Sequence, residues 1–481
     1  MSFPFNGSFK RAWGGFASSR ALRRAAKRKE RLLQKRNPGY KFEPLEPRIL
    51  LAADPFSVSL SAGASTVEIE HKSDTTTQIT VTPDGGSASI IDGTNDGLVL
   101  QGSASEDDIT VVWVGSEHER ADFSVSIDAG DESDVVTLSS SGGGEWRVES
   151  LTVSAEDISL AGATRVEAID DIRLKAHSSS LTDQANSSRI DLQGDLVSTV
   201  GNIVVSALTN WSFSGATPAT AFVQSAAIDI FGEISALAQN IDITALAQAA
   251  LNFAEESELA VQSGSAQSAA VIVHGDASLS GDKVNLLSEV DFDLIAQTTP
   301  ASPDSNITID IEQTALTELS SGADITASSS AADALSVDAS VVTGMDVSVL
   351  PGSLSVSDLL GLDAFSVDVN LVRTPDVIIG SKVAPTAVDL SLQDYTDTTR
   401  WSAVSLPAET YLSSGGTQDL SVGDVVRVAA GHAPGGAVGQ TYVFLGGAAP
   451  TTIDAAGGVT LDARLSDHVS RPASKGVHLD I

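Results

Sequence analysis

The chain of 481 residues contains no cysteine. That excludes disulfides and thiolate metal sites, and leaves stability to packing and ladder hydrogen bonds. Aromatic residues are only 5% of the chain, so a core must come from Ala, Val, Leu and Ile, which suits thin, regularly stacked layers better than one large globular centre. No apolar run approaches the roughly 18 residues of a membrane-spanning helix. The longest near the N-terminus, Ile49 to Ala53, is also shorter than the roughly 7–15 residues of a signal-peptide core. The seven histidines are scattered, and no HExxH, P-loop or dinucleotide fingerprint occurs.

Positive charge is scarce everywhere except the head. Residues 1–48 hold 13 Lys+Arg against three Glu, whereas the remainder holds 15 Lys+Arg against 60 Asp+Glu, a balance of −45. Such a body repels nucleic acid and anionic membranes, so no nucleic-acid partner is expected. Within the head, SRALRRAAKRKERLLQKR (19–36) combines helix formers with weak amphipathicity. It reads as a solvated basic helix or unstructured leader, or as a segment contacting membrane surface or export machinery.

The stretch FEPLEPRILLAADP (42–55) follows. Each proline forces the preceding Glu into an extended conformation, so EPLEP is a stiff rod presenting ILL as a short apolar hook. A rod and hook suit recognition by a partner; an extended linker docking ILL on the first strand is the alternative, and Leu51-Ala52-Ala53 has the small residues of a cleavage site. Phe42, Glu43, Pro44, Leu45, Glu46, Pro47, Arg48, Ile49, Leu50 and Leu51, with Asp54-Pro55 after them, resemble the LEPR-XLL motif near the N-terminus of very long bacterial surface proteins of the adhesin or haemagglutinin type. The resemblance covers about 14 residues. It implies export to the surface of, or secretion from, a Gram-negative-type cell, with those residues serving recognition by export machinery or a partner. It also implies that the chain is the N-terminal part, or a short member, of such a protein.

From 56 to 140, segments such as STVEIEH, TQITVTP and DITVVWV alternate with period 2 between PDGG, DGTNDG and SGGG, which predicts a small all-β module. From 141 to 375 the recurring unit is Gly, Asn or Asp, then Ile or Val, one residue, then Ile, Leu or Val: DDIRLKA, GNIVVSAL, QNIDITAL, DKVNLLSEVDFDLIA. Inward aliphatics stacking between coils, with polar turns outside, are what a parallel β-solenoid needs; the unit also resembles filamentous-haemagglutinin-like coils. ALAQAALNFAEESELAV (245–261) carries Leu246, Ala250, Phe253 and Ala254 at helical spacing, so a local helix competes there. After Pro375, residues 376–481 read as a C-terminal β module with a hairpin of strands 424–429 and 440–445; with DYTDTTRW (394–401) it resembles a module that recurs in giant surface proteins of the same kind. The fold expected is all-β: a parallel β-helix body (141–375) flanked by small β modules, behind a basic leader (1–55).

Candidate chemistry is sparse. IDAGDESDVVTL (127–138) approximates a calcium nonapeptide through Gly130, Asp134 and Val136, although Ala129 and Glu132 stand where glycines are needed; Asp131 and Asp134 are the calcium candidates, against a β-turn with solvated acids. DGTNDG (92–97) begins like an EF-hand loop but has Ser103 at the twelfth position, where a bidentate Glu is required. Asp171 and Arg173 share a strand face and Asp170 does not, which predicts a surface ion pair rather than a catalytic group. Trp211, Trp401 and Tyr395 are candidates for stacking on sugars, or for core packing. No cofactor and no catalytic residue is assigned. The function expected is display and adhesion towards carbohydrate or protein ligands at the cell surface; a β-helix polysaccharide-processing enzyme is the alternative.

Overall fold

A computed structural model describes residues 55–480 except 74, 94–95, 116–121, 131–132, 142–144, 181–184, 215–220, 255–258, 299–305, 350–365, 381–385, 398–399, 405–410, 421–424, 445–450 and 471–477. The chain divides into two units, Met1–Ala52 and Ala53–Ile481, of which the first lies outside the described residues. Among the described residues no α-helix occurs, and among them no helix is long and apolar enough to cross a membrane.

The second unit winds through three sheets of mainly parallel strands, each coil adding one strand to the first two and, from the third coil to the ninth, one to the third. The first coil holds β1 (Phe56–Ser59) and β2 (Gly63–Ser73), after which β3 (Thr76–Pro83) and β4 (Ser89–Gly93) fold back antiparallel. The second holds β5 (Gly97–Gln101) and β6 (Asp107–Val114); the third, β7 (Ser124–Asp128), β8 (Val135–Ser141) and β9 (Trp146–Val148); the fourth, β10 (Leu151–Ala155), β11 (Asp157–Leu160) and β12 (Arg165–Ala168). Then come β13 (Ile172–Ser180), β14 (Ala185–Leu192) and β15 (Asp195–Ser198); β16 (Ile203–Ser214), β17 (Val223–Ile230) and β18 (Glu233–Ala236); β19 (Ile241–Ala254), β20 (Leu259–Val273) and β21 (Ser278–Gly281); β22 (Val284–Thr298), β23 (Asn306–Leu319) and β24 (Asp324–Ala327). The ninth coil runs from β25 (Leu335–Val349) to β26 (Ser366–Ile379), is interrupted by β27 (Thr386–Asp389), β28 (Trp401–Val404), β29 (Tyr411–Leu412), β30 (Thr417–Leu420), β31 (Val425–Arg427) and β32 (Thr441–Phe444), and resumes with β33 (Thr452–Ala455). β34 (Val459–Ser470) and β35 (His478–Asp480) begin a tenth.

The first sheet is thus ten-stranded, from β1 to β34; the second has twelve strands, ending in β35 on one side and in the β3–β4 hairpin on the other; the third has seven, from β9 to β33. The expected boundary at 140 therefore falls inside the third coil. The stretch 56–140 supplies the opening strands of the first two sheets, with antiparallel pairing confined to β2, β3 and β4. Pro375 lies within β26, paired with Ala315. Proline lacks the N–H a central ladder needs, but beyond the contact of Ser366–Asp368 with β35, β26 has no further neighbour on that side among the described residues. The segment proposed as a helix is strand in β19 and β20. Its Ala245, Ala247, Ala249 and Leu251 are buried at period 2, and neighbours on both sides, β16 and β22, make ladder hydrogen bonds outweigh the helix preference of alanine. The expected hairpin is present as β31 and β32.

Register explains the core. Leu151, Ile172, Ile203, Ile241, Val284 and Leu335 form one inward column of the first sheet, and Ile190, Ile228 and Val271 one of the second, all buried; each such side chain removed from water contributes about 1.5–3 kcal/mol. From β16 onwards the first-sheet strands run 12–15 residues, while third-sheet strands stay at three or four. Beyond the third sheet, the first and second therefore face one another directly. Glutamines in that interior pair across coils: Gln313 donates to Gln267 (2.9 Å), Gln267 to Gln224 (3.0 Å), and Gln224 to the Gln248 carbonyl (2.9 Å). Ser288 and Thr317 meet across the gap at 2.9 Å.

The turns carry the punctuation seen in the sequence. Asn202 N–H donates to Asp171 Oδ1 (2.8 Å) and Asn240 N–H to Asn202 Oδ1 (3.2 Å), so Asp171 before Ile172 and Asn202 before Ile203 each tie one coil to the next. At Gly232 a Cβ would lie 2.0 Å from the Gly194 carbonyl oxygen, which only glycine permits.

Candidate functional site

Residues 42–51 and Asp131 lie outside the described residues. Asp134 is fully buried, not a solvated turn acid. It occupies a column at the corner between the first and second sheets with Asp107 and Glu156, one carboxylate per coil. Each takes a backbone N–H from the coil before it: Gly63 N–H donates to Asp107 Oδ1 (3.1 Å), Asp107 N–H to Asp134 Oδ1 (2.8 Å), and Asp134 N–H to Glu156 Oε2 (2.8 Å). Ser103 N–H also donates to Asp107 Oδ2. Burial, reinforced by the charge of Asp134, pushes the Glu156 carboxyl up to about 7 from 4.5, against the lowering effect of the Asp134 N–H. The column holds coils together, and backbone donors use carboxylate oxygens that a cation would need.

Asp171 and Arg173 are paired at 2.6 Å on an exposed face. The Arg173 guanidinium, then the Asn202 N–H, hold the Asp171 carboxyl below its usual value, so this acid works as a turn cap. Trp211 is buried and stacked on Phe222, with centroids 4.5 Å apart. Tyr395 and Trp401 are buried in the interrupting segment with Tyr442 and Phe444, where burial raises the Tyr395 phenol above its ordinary range. All three are core residues, because sparse aromatics on half-buried strands go first to filling the interior.

Two surface groupings escaped the sequence reading. On the outer face of the second sheet, Arg189 lies 3.2 Å from Asp229 Oδ2 and 4.0 Å from Asp191 Oδ2. His274 Nε2 sits 3.1 Å from Asp229 Oδ1 and stacks on Phe231 at 3.8 Å. Asp157, paired in register with Arg189, has its carboxyl raised by burial. Both Asp229 oxygens are engaged, so the group presents guanidinium, imidazole and ring face to solvent. These residues belong to different coils of unequal length, which hides their alignment from any fixed-period search. The second grouping had a local signal: SEVDFD places Glu289, Asp291 and Asp293 at period 2 on the outer face of β22. Burial, then the neighbouring acid, raises the carboxyls of Glu289 and Asp291. Among the described residues no group of three or more His, Asp or Glu side chains is arranged to hold a metal ion.

Comparison with protein-family models, curated proteins and solved structures returned no match. The functional reading therefore rests on the residues themselves.

Proposed function

We propose that the chain is an exported, adhesin-like surface scaffold: a parallel β-solenoid that displays short polar side chains on its outer faces to carbohydrate or protein ligands at the cell surface. The observation that carries this reading is the pairing of a three-sheet coil, whose interior glutamines Gln224, Gln267 and Gln313 are spent on internal hydrogen bonds, with the LEPR-XLL-like stretch at 42–51. Stacked coils offer many laterally spaced contacts of modest strength, and affinity then comes from their number. Deleting the gene and measuring attachment to surfaces and neighbouring cells tests the proposal; attachment is expected to fall, and unchanged attachment removes it.

The grouping of Arg189, Asp191, Asp229 and His274 on one sheet face favours a second reading, polysaccharide processing. It predicts release of reducing ends from acidic polysaccharides, lost in Asp229→Asn. Absence of release from the purified protein discards it.

A further inference from the structure

Where β2 and β3 join the second sheet, its outer face carries a row of hydroxyls. Thr82 on β3 lies opposite Thr66 on β2, and Thr66 beside Thr110 on β6; neighbouring strands space the three about 4.8 Å apart. All three face outward, because Val81, Val67 and Val111 next to them in the chain are buried and successive strand residues alternate faces. Asp108 shares that face two residues before Thr110. The PDGG turn (83–86) stands at one side of the row. There Gly86 N–H donates to the Pro83 carbonyl (3.0 Å) and Asp84 N–H to the Ala64 carbonyl (2.8 Å), while Gly85 takes a φ of +66°, which glycine adopts without steric cost. Turn and strands together frame an open cavity of about 280 Å³, lined by the three threonines, Asp84, Asp108 and Pro83.

We infer that this cavity is a binding site for a single neutral sugar ring. Its hydrogen-bonding capacity is unspent: among the described residues no hydrogen bond or ion pair engages the side chains of Thr66, Thr82, Thr110, Asp84 or Asp108, whereas Asp171, Asp191 and Asp229 lie against arginines. Charge excludes an anion, because two carboxylates line the cavity, no described Lys, Arg or His does, and the surrounding body is strongly acidic. Ligand pockets for apolar molecules are lined mainly by apolar and aromatic side chains and run from about 300 to 1,000 Å³. This one is hydroxylic, has no described aromatic ring in its lining, and at about 280 Å³ holds one ring rather than a chain of them. The donor and acceptor types also match. A threonine hydroxyl both donates and accepts, and a carboxylate only accepts, so two adjacent sugar hydroxyls can donate to the two oxygens of Asp108 or Asp84 in charge-assisted bonds, with the threonine row meeting the remaining hydroxyls. A bare cation is served less well, since no group of three or more acidic or histidine side chains among the described residues is arranged to hold one. For its biological role this pocket rests on the scaffold reading above, in which one weak contact per chain gains strength when many chains are displayed together.

The test is titration of the purified 481-residue chain with glucose, galactose, mannose and galacturonate, followed by saturation-transfer NMR in the presence of EDTA. At least one neutral hexose is expected to bind with a Kd on the order of millimolar, and galacturonate is expected not to bind. Asp108→Asn, which replaces one acceptor oxygen by a donor, and Thr66→Val, which removes one hydroxyl at nearly constant volume, are each expected to weaken binding about tenfold; both positions face outward, and circular dichroism checks that the variants fold. No hexose binding, equal binding of galacturonate, binding that EDTA abolishes, or affinity unchanged in both variants overturns the inference. Attachment of cells carrying the Asp108→Asn/Thr66→Val chain separates the pocket from the scaffold reading. Attachment is expected to fall with the double variant as it does on gene deletion; a fall on deletion alone overturns the pocket and leaves the scaffold standing.

Discussion

Glu156 shows how much a single side chain contributes in so regular a fold. Its carboxyl is raised from 4.5 to about 7 because burial disfavours the charged form, with Asp134 adding repulsion. Between those two values the folded chain binds more protons at this site than the unfolded chain does, so its contribution to stability is greatest at the acidic end and is lost as pH rises through the window. The groups facing it are the carboxylates of Asp134 and Asp157, and burial raises the Asp157 carboxyl in the same direction. Thermal unfolding followed by circular dichroism is expected to give a melting temperature that falls between about pH 5 and about pH 7.5. In Glu156→Gln, which keeps an acceptor for the Asp134 N–H, the fall is expected to be smaller; an identical slope in both proteins assigns the pH dependence to other groups. The side-chain column to which Glu156 belongs was not legible. Asp134 was legible in the sequence only as a calcium candidate, because IDAGDESDVVTL approximates a calcium nonapeptide, and its partners Asp107 and Glu156 lie 27 and 22 residues away with no common period.

At the scale of elements, the period-2 strands and their turn residues were readable because each is a local property: alternation for burial, Asp or Asn for capping, Gly232 for close approach. Their assignment to modules was not, since which strands share a sheet is decided by register across dozens of residues. β27 to β32 illustrate this. They were expected to belong to a terminal module, but the solenoid resumes after them in β33 and β34. Gly380 N–H donates to the Leu319 carbonyl (2.8 Å) and Thr451 Oγ1 to the Ser320 carbonyl (2.9 Å), so the chain leaves the coil and returns to it at consecutive backbone positions. The segment between carries its own core of Leu390, Tyr395, Trp401, Leu420, Val426, Val428, Tyr442 and Phe444. An element whose ends meet and whose core is separate is removable without breaking the host ladders. Replacing 386–444 with a short Gly/Ser linker is expected to leave the β signature and the main unfolding transition in place. Loss of that transition would mean that the insert supports the ninth coil.

For the whole molecule, stacking makes stability a sum over neighbouring coils, and this chain permits a clean check. Asn202 and Asn240 occupy equivalent turn positions, so deleting Ile203–Asn240 removes one full coil and joins Asn202 to Ile241. The inward columns then close on equivalent residues: in the first sheet Ile172 meets Ile241 and Leu174 meets Ile243, and in the second Ile190 meets Val271. In the amide column Asn186 meets Gln267, which keeps a polar partner inside. A half-coil deletion, Ile203–Phe222, removes fewer residues but joins Asn202 to Val223. It thereby feeds β17, a second-sheet strand, into the place of β16 in the first sheet, and puts every later strand out of step with the coil before it. The full-coil deletion is expected to fold with a single unfolding transition at a modestly lower temperature, and the half-coil one to lose its β signature. Equal tolerance of both deletions would show that the columns do not set the register, whereas equal intolerance would show that the long coils act as one indivisible core.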